Sequence, residues 1–351
     1  MMQHLLGIRS QSIQTALLDS HVLSSGAEKN EAIVFLHGNL SSATYFEELM
    51  LSLSGNYHCI APDLRGYGDT QDLPIDATRG GRDWADDLRA LLDTLQIETA
   101  HLLGWSAGAA GIMQFAIDHP DRVNSLILVA PVSPYGFGGT CDAKGAPIHA
   151  DFAGSGAGIV NNDVVQQLLA ANTTGDSPAA PLNLLREYFV KPSLRMQREA
   201  ILVEATLQLK LGERRYPGDY VSSPNWPHVA PGKWGATNAL SPKYFDVSGI
   251  AELETKPNIL WIRGDCDQIV ADKSLFDPAV LVSDDDDIEY PAQPMVAQMR
   301  DVLSRYKTNG GQVQEVEFQN TGHSPFLEKP EEFFELMSVF LANVSRSSSG
   351  A

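Results

Sequence analysis

The chain has 351 residues, 43% of them hydrophobic, and a formal net charge of −19 at pH 7. This length suits one large α/β domain with an insertion, or two smaller domains, and the apolar content is ample for a core. The charge argues against nucleic acid and anionic membrane surfaces as partners, fits a neutral or apolar small-molecule substrate, and leaves the oligomeric state open.

Residues 1–10 hold a brief apolar patch (Leu5, Leu6, Ile8) without a basic n-region or cleavage site, so no signal peptide is expected. Residues 13–23 alternate weakly, as one or two edge strands would. The continuous apolar run at 32–36 marks a central parallel strand. It ends in His37-Gly38-Asn39-Leu40, where a glycine just past the strand lets backbone approach a ligand. His37 reads as a structural loop residue. Residues 43–53 read as a helix and 59–61 as a short strand. In the turn-rich loop that follows, Asp63 and Arg65 are expected to hold the loop by hydrogen bonds. Trp84, Leu88, Leu91, Leu92 and Leu95 recur at helical spacing in a predicted helix over 83–95.

Residues 100–103 form an apolar strand, followed by Gly104-Trp105-Ser106-Ala107-Gly108 and a helical pattern over 112–117. Strand, tight turn and helix with a serine at the apex make a nucleophile elbow. The turn strains the serine backbone, and neighbouring segments come too close for side chains at Gly104 and Gly108. The helix N-terminus beneath favours developing negative charge. A further buried strand is expected at 124–130.

The alternation of strands and helices predicts a mainly parallel central sheet with helices on both faces. It breaks at 131–246, a stretch of glycine-rich loops, scattered aromatic residues and helical patterns near 164–171 and 193–210. This stretch is expected to be an inserted, largely helical cap, leaving 1–130 and 247–351 as the core domain. The alternation resumes with a strand at 258–262, then Arg263-Gly264-Asp265-Cys266-Asp267. The four aspartates at 284–287 read as a solvated loop and match no calcium-loop spacing. A helix over 296–307, an edge strand over 313–318, a loop holding Gly322-His323-Ser324-Pro325 and an amphipathic helix over 330–344 complete the chain. Residues 345–351 read as a loose tail. Cys59, Cys141 and Cys266 are widely spaced and odd in number, which fits a reducing compartment such as the cytoplasm.

Ser106, Asp267 and His323 each follow a predicted strand, and in a parallel sheet those ends share one rim, where ligands bind. Their order, nucleophile, acid, base, is that of an elbow-type hydrolase. Serine is a weak nucleophile until an imidazole takes its proton, and the imidazole needs a carboxylate to fix its tautomer.

At this point the sequence resembles the α/β-hydrolase superfamily in its serine hydrolase branch, over about residues 31–130 and 256–344. The resemblance implies Ser106 as nucleophile, His323 as general base and then acid, and Asp267 as the orienting acid. It implies backbone N–H groups of Asn39 and Ala107 as the oxyanion hole. Family spacing, three residues after the glycine, favours Asp267 over Asp265. Some relatives place the acid after the strand that follows the elbow, but Pro131-Val132-Ser133-Pro134 has no carboxylate, and Asp142 lies too far along. Trp105 either lines the substrate pocket or packs under the sheet; Leu40, Tyr135 and Phe137 are further pocket candidates. The 267–323 stretch is longer than the family pattern.

The resemblance implies a hydrolase of a carboxylic ester or lactone of a fairly apolar small molecule, acting through an acyl-enzyme. Its alternatives on the same fold are C–C bond hydrolase, hydroxynitrile lyase or perhydrolase chemistry, or a non-catalytic ligand receptor. A serine nucleophile argues against epoxide hydrolase chemistry. No metal cluster, P-loop or dinucleotide glycine pattern is present, so no metal and no cofactor is expected.

Overall fold

The computed structural model describes residues 3–192, 194–282 and 288–348. The aspartates at 284–287 and the last three residues of the tail therefore lie outside the described residues.

Among the described residues there are ten strands: β1 (Arg9–Gln14), β2 (Asp19–Ser25), β3 (Ala32–Leu36), β4 (His58–Pro62), β5 (Ala100–Trp105), β6 (Val123–Val129), β7 (Tyr220–Ser222), β8 (Val229–Pro231), β9 (Asn258–Gly264) and β10 (Val313–Phe318). Eight of them form one sheet in the order β1-β2-β4-β3-β5-β6-β9-β10, and β7 and β8 form a separate ribbon. Within the eight-stranded sheet the pairings from β4 through to β10 are parallel, and β2 with β4 and β1 with β2 run antiparallel. The weakly alternating 13–23 region is thus the end of β1, the turn and most of β2 in an antiparallel hairpin at the sheet edge. Parallel strands have to be buried on both faces, which explains the apolar runs at 32–36 in β3, 102–103 in β5, 126–129 in β6 and 259–262 in β9.

The helices are α1 (Glu47–Leu53), α2 (Arg82–Thr94), α3 (Gly108–Asp118), α4 (Asn162–Leu169), α5 (Pro181–Leu184), α6 (Glu199–Leu207), α7 (Ala236–Ala239), α8 (Met295–Thr308), α9 (Pro325–Glu328) and α10 (Pro330–Ser348). The strand period of two divides the core between them. Val34, Leu36, Leu102, Leu126 and Trp261 face a cluster with Trp84 and Leu88 of α2, Phe115 of α3 and Leu303 of α8. Ile33, Phe35, Leu103, Trp105, Ile127 and Leu260 face the other, with Met50 of α1 and Phe333, Met337 and Leu341 of α10.

Register pairs Val129 of β6 with Ile262 of β9, although residues 130–257 intervene. That intervening stretch carries short helices, a π-helical turn at Leu185–Phe189 and the β7–β8 ribbon, rather than helices alone. The helix expected over 193–210 is shorter, Glu199–Leu207. At its start the Glu199 carboxylate accepts from Met196 N, and at its end Lys210 N turns away to donate to Gly66 O. The helix expected over 43–53 opens with a 3-10 turn, Ala43–Phe46, before α1.

Candidate active site

Ser106 sits between the last residue of β5 and the first turn of α3, with φ at 55°. A non-glycine residue in this left-handed region is strained and persists only where its surroundings hold it. Here the Ser106 N–H donates to Val129 O at 2.9 Å, and Ala109 N and Val132 N donate to Ser106 O. The glycines on either side are steric requirements. A Cβ on Gly108 would stand 2.1 Å from Leu36 O, and one on Gly104 would stand 2.6 Å from Ala109 Cα. A Cβ on Gly38 would meet Ser106 Cβ at 3.0 Å, so the loop after β3 passes directly over the elbow.

His37 anchors that loop and is fully buried. Leu64 N donates to its Nε2 at 3.0 Å, so Nε2 is the acceptor and Nδ1–H donates to Gly38 O at 2.8 Å. Burial pulls the His37 pKa down and keeps the ring neutral. Asn39 spends its side-chain oxygen on Tyr67 OH and Leu40 N. Among the described residues, the backbone N–H groups of Asn39 and Ala107 donate to no protein acceptor. Asp63 fixes the adjoining chain, accepting from Ala43 N at 2.8 Å and Asp69 N at 2.9 Å, and Arg65 pairs with Asp87 at 2.6 Å.

His323 and Asp267 meet across the ends of β10 and β9. The His323 Nδ1 to Asp267 Oδ2 distance is 2.8 Å, with both side chains almost wholly buried. The other carboxylate oxygen of Asp267 accepts from Ile269 N and Val270 N at 2.8 and 3.1 Å. A carboxylate held by two backbone donors faces Nδ1, so Nδ1 carries the proton and Nε2 is left with a lone pair. Asp265, the rival acid, accepts instead from Thr321 N at 3.1 Å and so braces the loop that carries the histidine. Asp142 caps its own turn, accepting from Lys144 N and Ala146 N.

Trp105 joins the two halves. Its indole N–H donates to His323 O at 2.9 Å, and the two ring centroids are 5.6 Å apart. The residue immediately before Ser106 therefore touches both the main chain and the ring of His323. Trp105 is fully buried, stacked on Tyr45 and edge-on to Phe189 and Phe326. Trp105 lies in the cluster on the α1 and α10 side of the sheet. Leu40 has φ at 52°, and its carbonyl accepts from Thr206 of α6. Tyr135 and Phe137 pack with the α2–α3–α8 cluster, the opposite side of the sheet from Trp105, and the Tyr135 hydroxyl accepts from Arg305 of α8.

Among the described residues, serine, histidine and acid also lie side by side at two places away from the elbow, and in both the serine oxygen reaches the imidazole, a hydrogen bond not made between Ser106 and His323. Ser10 Oγ lies 2.9 Å from His21 Nε2, whose Nδ1 lies 2.7 Å from Asp63. Ser125 Oγ lies 2.7 Å from His101 Nδ1, whose Nε2 lies 3.0 Å from Glu31. Ser10 and Ser125 both lie within strands and lack the strained apex, the helix N-terminus and the overlying glycine loop that surround Ser106. Serine, imidazole and carboxylate side by side do not by themselves define a reaction centre.

Sequence reading missed Phe189, whose ring lies 6.2 Å from His323, and Glu328, whose carboxylate accepts from Gly322 N and Lys191 N. Phe189 sits in a stretch without periodic signal. Glu328, five residues after the histidine, looks like ordinary first-turn acidity of the closing helices. Among the described residues no cluster of three or more His, Cys, Asp or Glu is arranged to hold a metal, and no helix is long and apolar enough to cross a membrane.

Comparison with known proteins gives a match to the family model described as alpha/beta hydrolase fold over residues 31–330. The chain is 29% identical over 161 residues to an uncharacterized carboxylesterase, nap, of Bacillus subtilis, covering 46% of this chain and 50% of that one. It is 32% identical over 109 residues to a 2-hydroxy-6-oxo-6-phenylhexa-2,4-dienoate hydrolase of Burkholderia cepacia, covering 30% and 38%. These matches span half or less of the relatives' length. Among solved structures, the carboxylesterase CesB (YbfK) of Bacillus subtilis superposes with a TM-score of 0.60 at 16% identity, over 96% of this chain and 92% of that one.

Proposed function

The chain belongs to the alpha/beta hydrolase fold family, and on that premise we propose that it is a serine hydrolase cleaving a carboxylic ester or lactone of a fairly apolar small molecule. The observation that carries this reading is the buried His323–Asp267 pair at 2.8 Å, bonded through Trp105 to a strained serine at the end of β5.

In this reading Ser106 Oγ attacks the substrate carbonyl carbon and passes its proton to His323 Nε2. Asp267 stabilises the imidazolium without taking the proton. The carbonyl oxygen becomes an oxyanion between the N–H groups of Asn39 and Ala107. Removing one such donor costs about 10²–10³ in rate in measured enzymes. Collapse breaks the C–O bond, and His323 gives its proton to the departing alkoxide. A water, deprotonated by the same imidazole, then attacks the acyl-serine and releases the acid, restoring Ser106. For a lactone the alkoxide stays on the same molecule and leaves with the acid. The stretch 131–246 acts as the cap over this site; apolar residues such as Phe189, Leu202 and Val203, packed with Trp105, support a water-poor acyl site. A cytoplasmic setting belongs to the same reading, supported by three cysteines that are all free thiols.

The test is turnover of p-nitrophenyl esters of graded chain length and of a lactone panel, with Ser106→Ala as control. Serine-dependent hydrolysis is expected; equal inactivity of both proteins across the panels would refute it. A C–C bond hydrolase is the second reading, favoured by the match to a dienoate hydrolase. It predicts cleavage of 2-hydroxy-6-oxo-6-phenylhexa-2,4-dienoate at rates above those of any ester.

A further inference from the structure

Glu328 ends the short helix α9, and its half-buried side chain reaches back to the loop that carries His323. Oε1 accepts from Gly322 N at 2.9 Å and from Ser324 N at 3.4 Å. Oε2 accepts from Gly322 N at 3.0 Å and from Lys191 N at 2.8 Å. The amides on both sides of His323 are therefore held by one carboxylate, and the same carboxylate holds a residue of the stretch between β6 and β9.

The approach of that stretch is close. A Cβ on Gly322 would stand 2.8 Å from Lys191 N and 3.0 Å from Val190 C, so the two chains lie flat against each other only because residue 322 is glycine. The Lys191 ammonium donates to Asn320 Oδ1, which places a third contact on the same loop. Phe189, two residues back, lies against the rings of both His323 and Trp105. Charge-assisted bonds to backbone N–H are about twice as strong as neutral ones. Burial, with a smaller push from the charge of Asp267, raises the Glu328 pKa against the opposing pull of the amides of Gly322, Lys191 and Ser324.

We propose that Glu328 is a positioning residue that makes the seating of residues 189–191 and the seating of the His323 loop a single event. When 189–191 lies down, Lys191 N completes the carboxylate's set of donors, and the loop is pinned with its imidazole toward the elbow. When it lifts, the carboxylate loses a donor and Phe189 leaves the imidazole ring, so the base is in register only while the site is covered. This rests on the reading of His323 as the base, and its structural half is testable without any substrate.

Hydrogen exchange on the full chain tests the coupling. Arg186 pairs with Glu199 within the same stretch, away from the loop, so Arg186→Ala loosens 189–191 without touching residues 320–324. It should speed exchange of the amides at 320–324 about ten-fold when Glu328 is present, and change it less than about two-fold in a Glu328→Gln background. Glutamine keeps the shape but turns an NH₂ toward amide donors; should it fold poorly, Glu328→Asp, one methylene shorter, takes its place. If Arg186→Ala speeds exchange at 189–191 and leaves 320–324 unchanged, or if the two substitutions act independently, the coupling is wrong. Kinetics read the second half: Glu328→Gln should lower kcat per fluorophosphonate-titrated site about ten- to a hundred-fold with little change in KM. A merely structural role would lower the number of titratable sites and leave kcat per site intact, and that result would overturn the positioning role. Inactivity of the wild type would refute the proposed function, while the exchange experiment would still decide the coupling.

Discussion

Replacing Trp105 by phenylalanine separates its two jobs, filling space beneath the elbow and tethering His323. Phenylalanine keeps an aromatic ring against Tyr45, Phe189 and Phe326 but removes the indole N–H that donates to His323 O at 2.9 Å. That carbonyl belongs to a residue only 1% exposed, so it is left without a partner and without water. An unsatisfied buried acceptor costs about 1–3 kcal/mol. The missing part of the bicyclic ring adds a small cavity, on the order of 1 kcal/mol at a site that relaxes only partly. The expected loss is about 2–4 kcal/mol, read as a lower urea midpoint at unchanged m. Trp105→Ala, which opens the whole cavity, should lose about 3–5 kcal/mol from the ring alone. Because the lost bond lies at the histidine, ester turnover by Trp105→Phe should fall by about ten-fold or more at a denaturant concentration where both proteins are folded. A variant with wild-type midpoint and wild-type turnover would show that the tether is idle and that Trp105 is filler.

Ser106→Gly should relieve the φ of 55° and raise stability by about 1 kcal/mol in urea unfolding, while ester turnover falls by about 10³-fold or more; a destabilised variant would refute the strain. Gly108→Ala should yield little folded protein, since its methyl would press on the carbonyls of Leu36 and His37, whereas Gly249→Ala, with nothing within 4 Å of the added carbon, should express and unfold like wild type. The His21–Asp63 pair should impose a pH window on stability. Burial opposes the charged imidazole, but the hydrogen bond and charge of Asp63 outweigh it and raise His21 above 6.5. Burial also opposes the Asp63 carboxylate, but the bond from His21, its charge and Ala43 N outweigh it and hold Asp63 below 3.8. The stabilisation from His21 is full below pH 6.5 and lost as pH rises through the raised value. That from Asp63 is full above pH 3.8 and lost as pH falls through the lowered one. The difference in urea midpoint between wild type and Asp63→Asn should therefore be largest between those two pH values; a difference flat with pH would refute the pair's ionisation.

Much of this was legible in the residues because it depends on local chemistry. The parallel strands announce themselves as apolar runs, and the elbow announces itself because Gly104 and Gly108 have no substitute where backbones approach that closely. Asp267 was distinguishable from Asp265 only by spacing from Gly264; the structure adds the physical difference, one bonded to the imidazole and the other to a loop amide. What stayed hidden depends on contacts far apart in sequence. No periodicity reports that Trp105 reaches His323, 218 positions away, or that Glu328 reaches Lys191, 137 positions away. The stretch between β6 and β9 was the least readable part. Its turns rest on positive-φ glycines such as Gly136, Gly138 and Gly154, and its helices are ended by tertiary bonds such as Lys210 N to Gly66 O.

Because β6 pairs with β9 across residues 130–257, a strand made early waits for a neighbour made late. Synthesis delivers the elbow early, but the slot beside β6 stays empty until residues 258–264 arrive, and the proposed acid and base follow later still. Until then a nascent chain holds the serine without its proposed partners and leaves β6 as an unmatched edge, open to wrong pairing. The same geometry makes lengthening of the detour inexpensive, because doubling a loop adds only about 0.6 kcal/mol of closure entropy. On the proposed reading, the stretch over the site can lengthen or change while the strand ends that carry Ser106, Asp267 and His323 stay paired.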